Sequence, residues 1–393
     1  MRSHRFPLAA FAVAALLTAT VACSSDGTTN NAGASSNTPT VDDIRLNQLQ
    51  MIGSHNSYHV APEPAYFAKL AEAAKGLGSA ASDLGDINSL VYTHAPLTTQ
   101  LGRGIRSFEL DVWADPAGGL FSKPIAPTFL NVTAELPTGL DQPGFKVLHI
   151  VDIDFISTCQ VFIGCLREMK AWSDAHPDHV PIVILVELKD DPLPKPLDIT
   201  KVVPIDATQM DALDAEIRSV LSDDQLITPD LVRGDAATLR DALNTTGWPR
   251  LGDVRGRFMF MMDNGDPKQA EYLAGHDSLK GRAIFTSADE GRPDGAVLKE
   301  NDAGDGSRIQ DLVKQGYFIR TRADADLVEA KANDTSNRDI TLASGAQVVS
   351  TDFPPGEPDA DNGYIVSLGT PLAVRCNPIA VPTGGCPNGP LEK

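Results

Sequence analysis

The sequence is poor in basic residues. It has 33 lysines and arginines against 52 aspartates and glutamates among 393 residues, a formal net charge of −19. Binding nucleic acid through a basic surface needs clustered lysine and arginine to neutralise the phosphates, so we expect no nucleic-acid partner. An anionic membrane would repel the same charge, and an anionic ligand there would need a bound cation beside it.

Three familiar catalytic or metal-binding motifs are also missing. No CxxC pair occurs, which argues against a zinc ribbon. His55 and His59 are four residues apart, but no H-E-x-x-H surrounds them, which argues against a zincin helix. Ser54 follows a glycine, yet the G-x-S-x-G elbow that would expose a serine nucleophile is absent.

Long hydrophobic runs are scarce, and the clearest one lies near the N-terminus. Residues 6–22 are apolar, follow Arg2 and Arg5, and are too short for a comfortable membrane span. We expect residues 1–23 to be an export signal. A small residue directly before Cys23 is similar to a bacterial lipoprotein cleavage site, which predicts a lipid on Cys23 and an extracellular or cell-surface lipoprotein. Simple cleavage and release is the alternative.

The remaining cysteines are four in number, and an even number in an exported chain predicts disulfides. Pairing Cys159 with Cys165 and Cys376 with Cys386 is the simplest of three possible connectivities. Residues 24–43 are small and polar in their first part and predict a flexible linker. We expect one domain over 44–358, because no composition break divides it, and a tail over 359–393 pinned by its two cysteines.

Short apolar runs with intervening helical segments predict an α/β fold. Helices are expected over 65–74, 165–176 and 207–221. Eight strands favour a closed (β/α)₈ barrel over an open doubly wound sheet, which is the alternative. The predicted strands are Gln48–Ser54, Ile105–Trp113, Phe145–Ile150, Pro181–Leu188, Arg257–Asp263, Ala283–Thr286, Gly316–Thr321 and Ala346–Asp352.

Carboxylates stand on one face of two of these strands, near the strand ends. Residues two apart share a face, which places Glu109 with Asp111 and Glu187 with Lys189. Paired carboxylates on an apolar strand are costly unless something compensates them, and a hard cation with oxygen ligands would do so. In a barrel such strand ends converge on the mouth that carries the active site.

Other polar residues occupy equivalent places. His55 ends the first strand with Asn56 directly beyond it, His149 lies on the third, and Asp352 ends the last. Each has a structural alternative: His149 as a hydrogen-bonded core residue, Glu109 and Asp111 as partners of Arg103 or Arg106, and Glu187 as a partner of Lys189. Their joint occurrence at the same strand ends favours a site.

These segments resemble a known family. Ile52–Tyr58, Arg106–Trp113, His149 and Val183–Lys189 are similar to the phosphatidylinositol-specific phospholipase C superfamily, and most similar to its calcium-dependent bacterial branch. The ordered set His-Asn, Glu-x-Asp, His, Glu carries the likeness, which runs from about Ile44 to Pro354. It implies a distorted TIM barrel of the PLC-like phosphodiesterase type, with the domain over 44–358 as the catalytic barrel.

The resemblance also implies a set of site residues and a reaction. Calcium would be the cofactor, and a phospholipid head group at a membrane surface, phosphatidylinositol rather than its polyphosphorylated forms, the substrate. His55 would be the acid and His149 the stabiliser of the charged phosphorane, although the reverse is chemically sensible. Arg320 and Asp352 are secondary candidates, with a salt bridge closing the barrel as the alternative. The implied calcium ligands are Asn56, Glu109, Asp111 and Glu187, and Lys189 would approach the substrate phosphate.

Two other functions remain open from the sequence. A glycerophosphodiester phosphodiesterase uses the same barrel with a Glu-x-Asp pair and two histidines, but often has its second histidine close after the carboxylates. Here the next histidine after Asp111 is His149. A non-catalytic, surface-tethered binding protein is the other alternative, although none of the expected site residues is missing.

Overall fold

The computed structural model describes residues 40–77, 86–134, 136, 138–193, 195, 199–369 and 372–392. The expected export signal, including Cys23, lies outside these residues, as does most of the linker over 24–43. The described part contains no helix that is both long enough and apolar enough to cross a membrane.

The strands are β1 Leu49–Ser54, β2 Ser107–Trp113, β3 Lys146–Val147, β4 Ile182–Lys189, β5 Phe258–Met262, β6 Ile284–Phe285, β7 Val297–Lys299, β8 Phe318–Arg322, β9 Val348–Thr351 and β10 Val374–Cys376. They form one barrel-like sheet with parallel neighbours in the order β6-β5-β4-β2-β1-β9-β8-β7. A parallel bridge between Ser287 and Val297 nearly closes it between β6 and β7. This confirms the predicted α/β barrel.

Helices lie between the barrel strands, and the three predicted ones are present with bounds that shift by at most three residues. A side-chain cap starts the helix Ala207–Val220, where Asp206 accepts hydrogen bonds from the amides of Thr208 and Gln209. The helices are α1 Pro64–Leu77, α2 Leu97–Gly102, α3 Ala126–Phe129, α4 Phe162–Ala175, α5 Ala207–Val220, α6 Pro229–Arg233, α7 Leu239–Thr245, α8 Leu251–Val254, α9 Lys268–Leu273, α10 Ser307–Lys314, α11 Val328–Ala332 and α12 Ser336–Ser344.

The register between β2 and β4 matters most for the site. It pairs Asp111 with Glu187 and Trp113 with Lys189. The apolar residues of both strands are buried, as expected of parallel strands that are covered on both faces. Acidic side chains from two neighbouring strands are thereby held side by side at the carboxyl end of the barrel.

One predicted strand is wrong. Phe145–Ile150 is not a barrel strand: only Lys146–Val147 is extended, and it pairs antiparallel with the end of β2. This segment belongs to the long connection between β2 and β4. The barrel strand that the sequence prediction missed is β7, which has three residues and lacks a long apolar run.

The chain returns to the barrel after β9. Strand β10 pairs antiparallel with β1, Leu49 standing opposite Cys376. The predicted disulfide pairing is confirmed: Cys376 is bonded to Cys386, and Cys159 to Cys165.

Candidate active site

The carboxyl ends of five barrel strands carry the candidate residues. His55 directly follows β1, and Glu109 and Asp111 lie in β2. Glu187 and Lys189 end β4. Arg320 lies in β8, and Asp352 follows β9. The fold therefore brings together side chains that are up to about 300 residues apart in sequence.

Glu109, Asp111 and Glu187 form an acidic group at this mouth. One carboxylate oxygen of each lies within 4.8 Å of the others. Asp111 is fully buried, and neither of its oxygens receives a hydrogen bond within the described part of the chain. Lys189 offers partial compensation, with Nζ 3.3 Å from Asp111 Oδ2 and 3.0 Å from Glu187 Oε1. The Glu187–Lys189 ion pair, which was the structural alternative to a site, is thus present, but it leaves the group with excess negative charge.

The electrostatics of Asp111 show the cost of this arrangement. Burial raises the pKa of the Asp111 carboxyl well above its usual value, because the charged form loses its hydration. Lys189 opposes this rise, whereas the neighbouring Glu187 and Glu109 carboxylates add to it. A divalent cation at this position would stabilise the charged form that the protein alone disfavours.

Asn56 adds a further unsatisfied oxygen. Its backbone has a positive φ of 45°, and its side-chain amide donates to the hydroxyl of Tyr92 at 3.0 Å. The Oδ1 atom is buried and accepts no hydrogen bond from any described residue. Buried polar atoms are almost always paired, so the unpaired oxygens of Asn56 and Asp111 fit the role of ligands to a cation. Oxygen donors of this kind are the ones that calcium prefers.

His55 is held by Asp352. Its Nδ1 lies 2.7 Å from Asp352 Oδ1, and its Nε2 lies 3.9 Å from Glu109 Oε1. Burial alone would raise the pKa of Asp352, but the His55 ring and the Arg322 guanidinium lower it to about 2. Asp352 is therefore an ionised acceptor that fixes Nδ1 of His55 as the donor. Nε2 is left for a substrate.

His149 reaches the site from a loop and not from a barrel strand, contrary to the prediction. Its Nδ1 lies 2.8 Å from Asp154 Oδ2. Burial lowers the pKa of His149, so its neutral form is favoured. The same Asp154 oxygen is 2.7 Å from Nε2 of His59. Both Asp154 and His59 escaped the sequence prediction, although His59 stands three residues after Asn56.

Arg320 forms a buried ion pair. Its Nη2 donates to Glu109 Oε2 at 2.6 Å and to the Ser350 hydroxyl at 3.2 Å. The alternative partners considered for the carboxylates of β2 are occupied elsewhere, since Arg106 pairs with Glu392 and Arg103 with Glu357. Arg322, which the sequence prediction overlooked, approaches Asp352 Oδ2 at 3.7 Å. It follows Arg320 by two residues and so shares its face of β8.

A pocket of about 190 Å³ opens beside these residues. Both candidate histidines line it together with Asn56 and Asp352, so the fold brings these predicted residues to one cavity. The rest of the lining is Asp86, Ser89, Leu90, Tyr92, Ile150 and Asp326. Two carboxylate-held histidines next to a cluster of oxygen donors are equipped for proton transfer and for stabilising anionic charge.

Comparison with known proteins agrees with this geometry. The family described as "Phosphoinositide phospholipase C, Ca2+-dependent" matches residues 44–378. A search among curated proteins finds no match. A calcium-dependent phosphoinositol-specific phospholipase C from the Gram-negative bacterium Pseudomonas sp., in an apo crystal form, is 16% identical with a TM-score of 0.51, covering 86% of this chain and 97% of its own.

The myoinositol complex of the Pseudomonas sp. enzyme gives a similar result. It is 15% identical with a TM-score of 0.51, covering 86% of this chain and 96% of its own. At this level of identity the two structures support the fold alone. The family match supports the activity and the calcium dependence. The glycerophosphodiester phosphodiesterase and the non-catalytic binding protein are not favoured. The chain belongs to the calcium-dependent phosphoinositide phospholipase C family, and it is a phosphodiesterase with calcium as its cofactor.

Proposed function

We propose that this chain cleaves phosphatidylinositol at a membrane surface, giving diacylglycerol and an inositol phosphate that is first cyclic. The observation that carries the proposal is the pocket in which two carboxylate-held histidines meet the unpaired Oδ1 of Asn56. The acidic group lies next to His55, whose Nε2 is 3.9 Å from Glu109 Oε1. Asn56, Glu109, Asp111 and Glu187 would hold calcium. When bound, calcium supplies positive charge that lowers the pKa of a substrate hydroxyl and neutralises the phosphate.

The protein's own groups then account for the proton movements. The 2-hydroxyl of inositol attacks the adjacent phosphorus, and the bond from phosphorus to the diacylglycerol oxygen breaks. A carboxylate, Glu109 or Asp111, takes the hydroxyl proton. His55, oriented by Asp352, donates a proton from Nε2 to the leaving oxygen, and His149 stabilises the charged phosphorane. Lys189, whose Nζ lies 3.3 Å from Asp111 Oδ2, would approach a phosphate oxygen. Arg320, ion-paired with Glu109, would hold that carboxylate in position.

The pocket lining supports an inositol ring without additional phosphates. Asp86 and Asp326 line it, and the described lining contains neither lysine nor arginine. Recognition of extra phosphate groups needs cationic side chains, and these carboxylates would repel such groups. Phosphatidylinositol therefore suits the pocket better than its polyphosphorylated forms.

Exposed apolar side chains support a membrane surface as the partner. Phe129 is 77% exposed and Val328 is 65% exposed. Both lie in connections that follow the carboxyl ends of barrel strands, as do Val91, Leu136 and Ile199, which are also exposed. We call these five side chains the mouth rim. An apolar rim around the pocket would enter the bilayer interface while the head group enters the site.

Export and anchoring complete the proposal. The N-terminal sequence supports an exported protein that a lipid on Cys23 tethers to the cell surface, with release as the alternative. Intact-mass measurement of the mature protein tests this: a lipid-sized increment on a chain that begins at Cys23 is expected. An unmodified chain would contradict it. The division into a linker over 24–43, a barrel over 44–358 and a tail over 359–393 stays a prediction.

Phosphorus NMR of the products from phosphatidylinositol vesicles tests the reaction. We expect the full chain to release cyclic inositol phosphate with calcium and none with chelator, and to act more slowly on vesicles of the bisphosphorylated lipid. His55→Ala and His149→Ala should each lower the rate by at least about 10²-fold. Cleavage of glycerophosphoinositol but not of the vesicles would move the substrate to water-soluble diesters, and a folded His149→Ala protein with the wild-type rate would contradict the assigned roles.

A further inference from the structure

Asp154 binds two histidines with a single carboxylate oxygen. His149 Nδ1 lies 2.8 Å from Asp154 Oδ2, and His59 Nε2 lies 2.7 Å from the same atom. The rings of the two histidines meet edge to face, with centroids 5.6 Å apart. His59 is fully buried, whereas the side chain of His149 is 22% exposed and lines the pocket. Asp154 thus links the buried His59 to His149, which faces the pocket.

The hydrogen bonds of His59 determine its protonation. Its Nδ1 lies 3.0 Å from the backbone carbonyl of Tyr92, and its Nε2 faces the Asp154 carboxylate. A carbonyl and an ionised carboxylate can only accept hydrogen bonds, so both ring nitrogens of His59 must donate. Burial lowers the pKa of His59, but the charge and hydrogen bond of Asp154 outweigh it and raise the pKa overall.

His149 needs this support because no barrel strand holds it. It lies just before a tight turn in which Ile150 and Asp154 exchange two backbone hydrogen bonds, of 3.0 and 2.9 Å. An isolated bridge between His59 and Ser157 ties this loop to the segment after β1. Asp154 accepts from His149 Nδ1, which leaves Nε2 of that ring for the substrate. The orientation of the His149 ring therefore depends on where the Asp154 carboxylate is held.

We propose that His59 is a positioning residue for the phospholipase reaction: through its Nε2–H it holds the Asp154 carboxylate, which fixes the ring of His149. The inference rests on the proposed role of His149. It assigns His59 no contact with the substrate. His59 would affect turnover through His149 and leave the action of His55 unchanged.

Two substitutions at position 59 separate the two hydrogen bonds. Glutamine places its amide near the position of Nε2 and can still donate to Asp154, whereas asparagine reaches only the position of Nδ1 and donates to the Tyr92 carbonyl. On phosphatidylinositol vesicles at saturating calcium, we expect His59→Asn to lower kcat about tenfold or more with little change in KM, a typical loss for an outer partner of a functional histidine. His59→Gln should stay within about threefold of wild type.

Double-mutant cycles show which histidine His59 serves. His59→Asn should cost nothing further in a His149→Ala background but keep its full cost in a His55→Ala background. His94 provides a matched control, because it is buried and bridges the Glu357 carboxylate and the His55 carbonyl at 2.6 and 2.9 Å. The cost of His94→Asn should persist in the His149→Ala background.

Several results would overturn the inference. Equal losses for His59→Asn and His59→Gln would do so, as would a His59→Asn loss that persists in the His149→Ala background. Should His59→Asn fail to fold, nitrogen-15 NMR of the wild-type histidines decides: two N–H groups on His59 and an Nδ1–H on His149 are expected, and an Nε2–H tautomer of His149 contradicts the proposal. If His149→Ala retains full activity, the proposed role of His149 and this inference fall together.

Discussion

Replacing Asp111 should have opposite effects with and without calcium. In chelator, Asp111→Asn should raise the melting temperature, because it removes a buried carboxylate whose pKa is already raised by burial and by the neighbouring carboxylates. With calcium at about 100 times its dissociation constant, wild type should gain about 2.7 kcal/mol and the variant much less. Thermal unfolding with and without calcium measures both effects, and an equal calcium-induced shift in the two proteins would reject Asp111 as a ligand.

Individual residues at the barrel mouth could largely be predicted from the sequence, because carboxylates on a strand of buried apolar residues are conspicuous. Glu109, Asp111 and Glu187 were predicted in this way, and the structure brings one carboxylate oxygen of each within 4.8 Å of the others. Asp154 was beyond reach, since a single aspartate in a loop has no periodic pattern around it. Arg322 was missed for a related reason: its closeness to Asp352 depends on the pairing of β8 with β9.

Asp154 should make the protein sensitive to acid. Burial would raise its pKa, but the two histidines lower it from 3.8 to about 2. A lowered folded-state pKa gives stability that is complete above the unfolded value and is lost as the pH falls toward the folded value. Between about pH 5 and pH 2, wild type should lose about 2 kcal/mol more of its unfolding free energy than Asp154→Asn. Urea unfolding of both proteins across this pH range measures the difference. An equal loss of unfolding free energy in the two proteins would contradict the prediction.

Elements were predicted well where they are long and poorly where they are short. Strand β2 has seven residues in which polar and apolar side chains alternate, and β4 has eight residues that begin with a continuous apolar run, and the prediction of both holds. Strand β7 has three residues, too few for any periodicity to show. Phe145–Ile150 has the composition of a strand, yet only Lys146–Val147 is extended. It pairs antiparallel with the end of β2, so the segment belongs to the connection between β2 and β4 and not to the barrel. The expected number of barrel strands was therefore reached with one wrong member and one omission.

The loops of the mouth rim should matter for vesicles and not for soluble substrate. Burying an exposed phenylalanine in the bilayer interface gains about 1.5 kcal/mol or more, so Phe129→Ser should lower activity on phosphatidylinositol vesicles about tenfold. Activity on a short-chain phosphatidylinositol below its micelle concentration should not change. Leu231→Ser is the matched control, because Leu231 is also exposed but lies in α6, in the later part of the connection from β4 to β5. Just before α6, the amide of Ile227 donates to the carbonyl of Phe258 at the amino end of β5, away from the mouth. Equal losses for both variants on vesicles would contradict the role of the rim.

At the scale of the whole molecule, net charge and site chemistry are complementary. A chain with a formal charge of −19 approaches an anionic lipid unfavourably, and the acidic group at the mouth adds to that repulsion. A cation held by Glu109, Asp111 and Glu187, as we propose, would reverse the local field where the phosphate would lie. Calcium dependence is thus a physical requirement of this barrel, and removing the ion should abolish activity without unfolding the barrel.

The most direct test is a calcium titration of the full chain followed by both calorimetry and release of cyclic inositol phosphate from phosphatidylinositol vesicles. We predict one ion per chain at this site, with product release rising over the same calcium range as the heat of binding, and loss of both in Asp111→Asn. Product release that continues undiminished in chelator, or calcium binding and activity that are unaltered in Asp111→Asn, would contradict the central claim that these carboxylates hold the catalytic calcium.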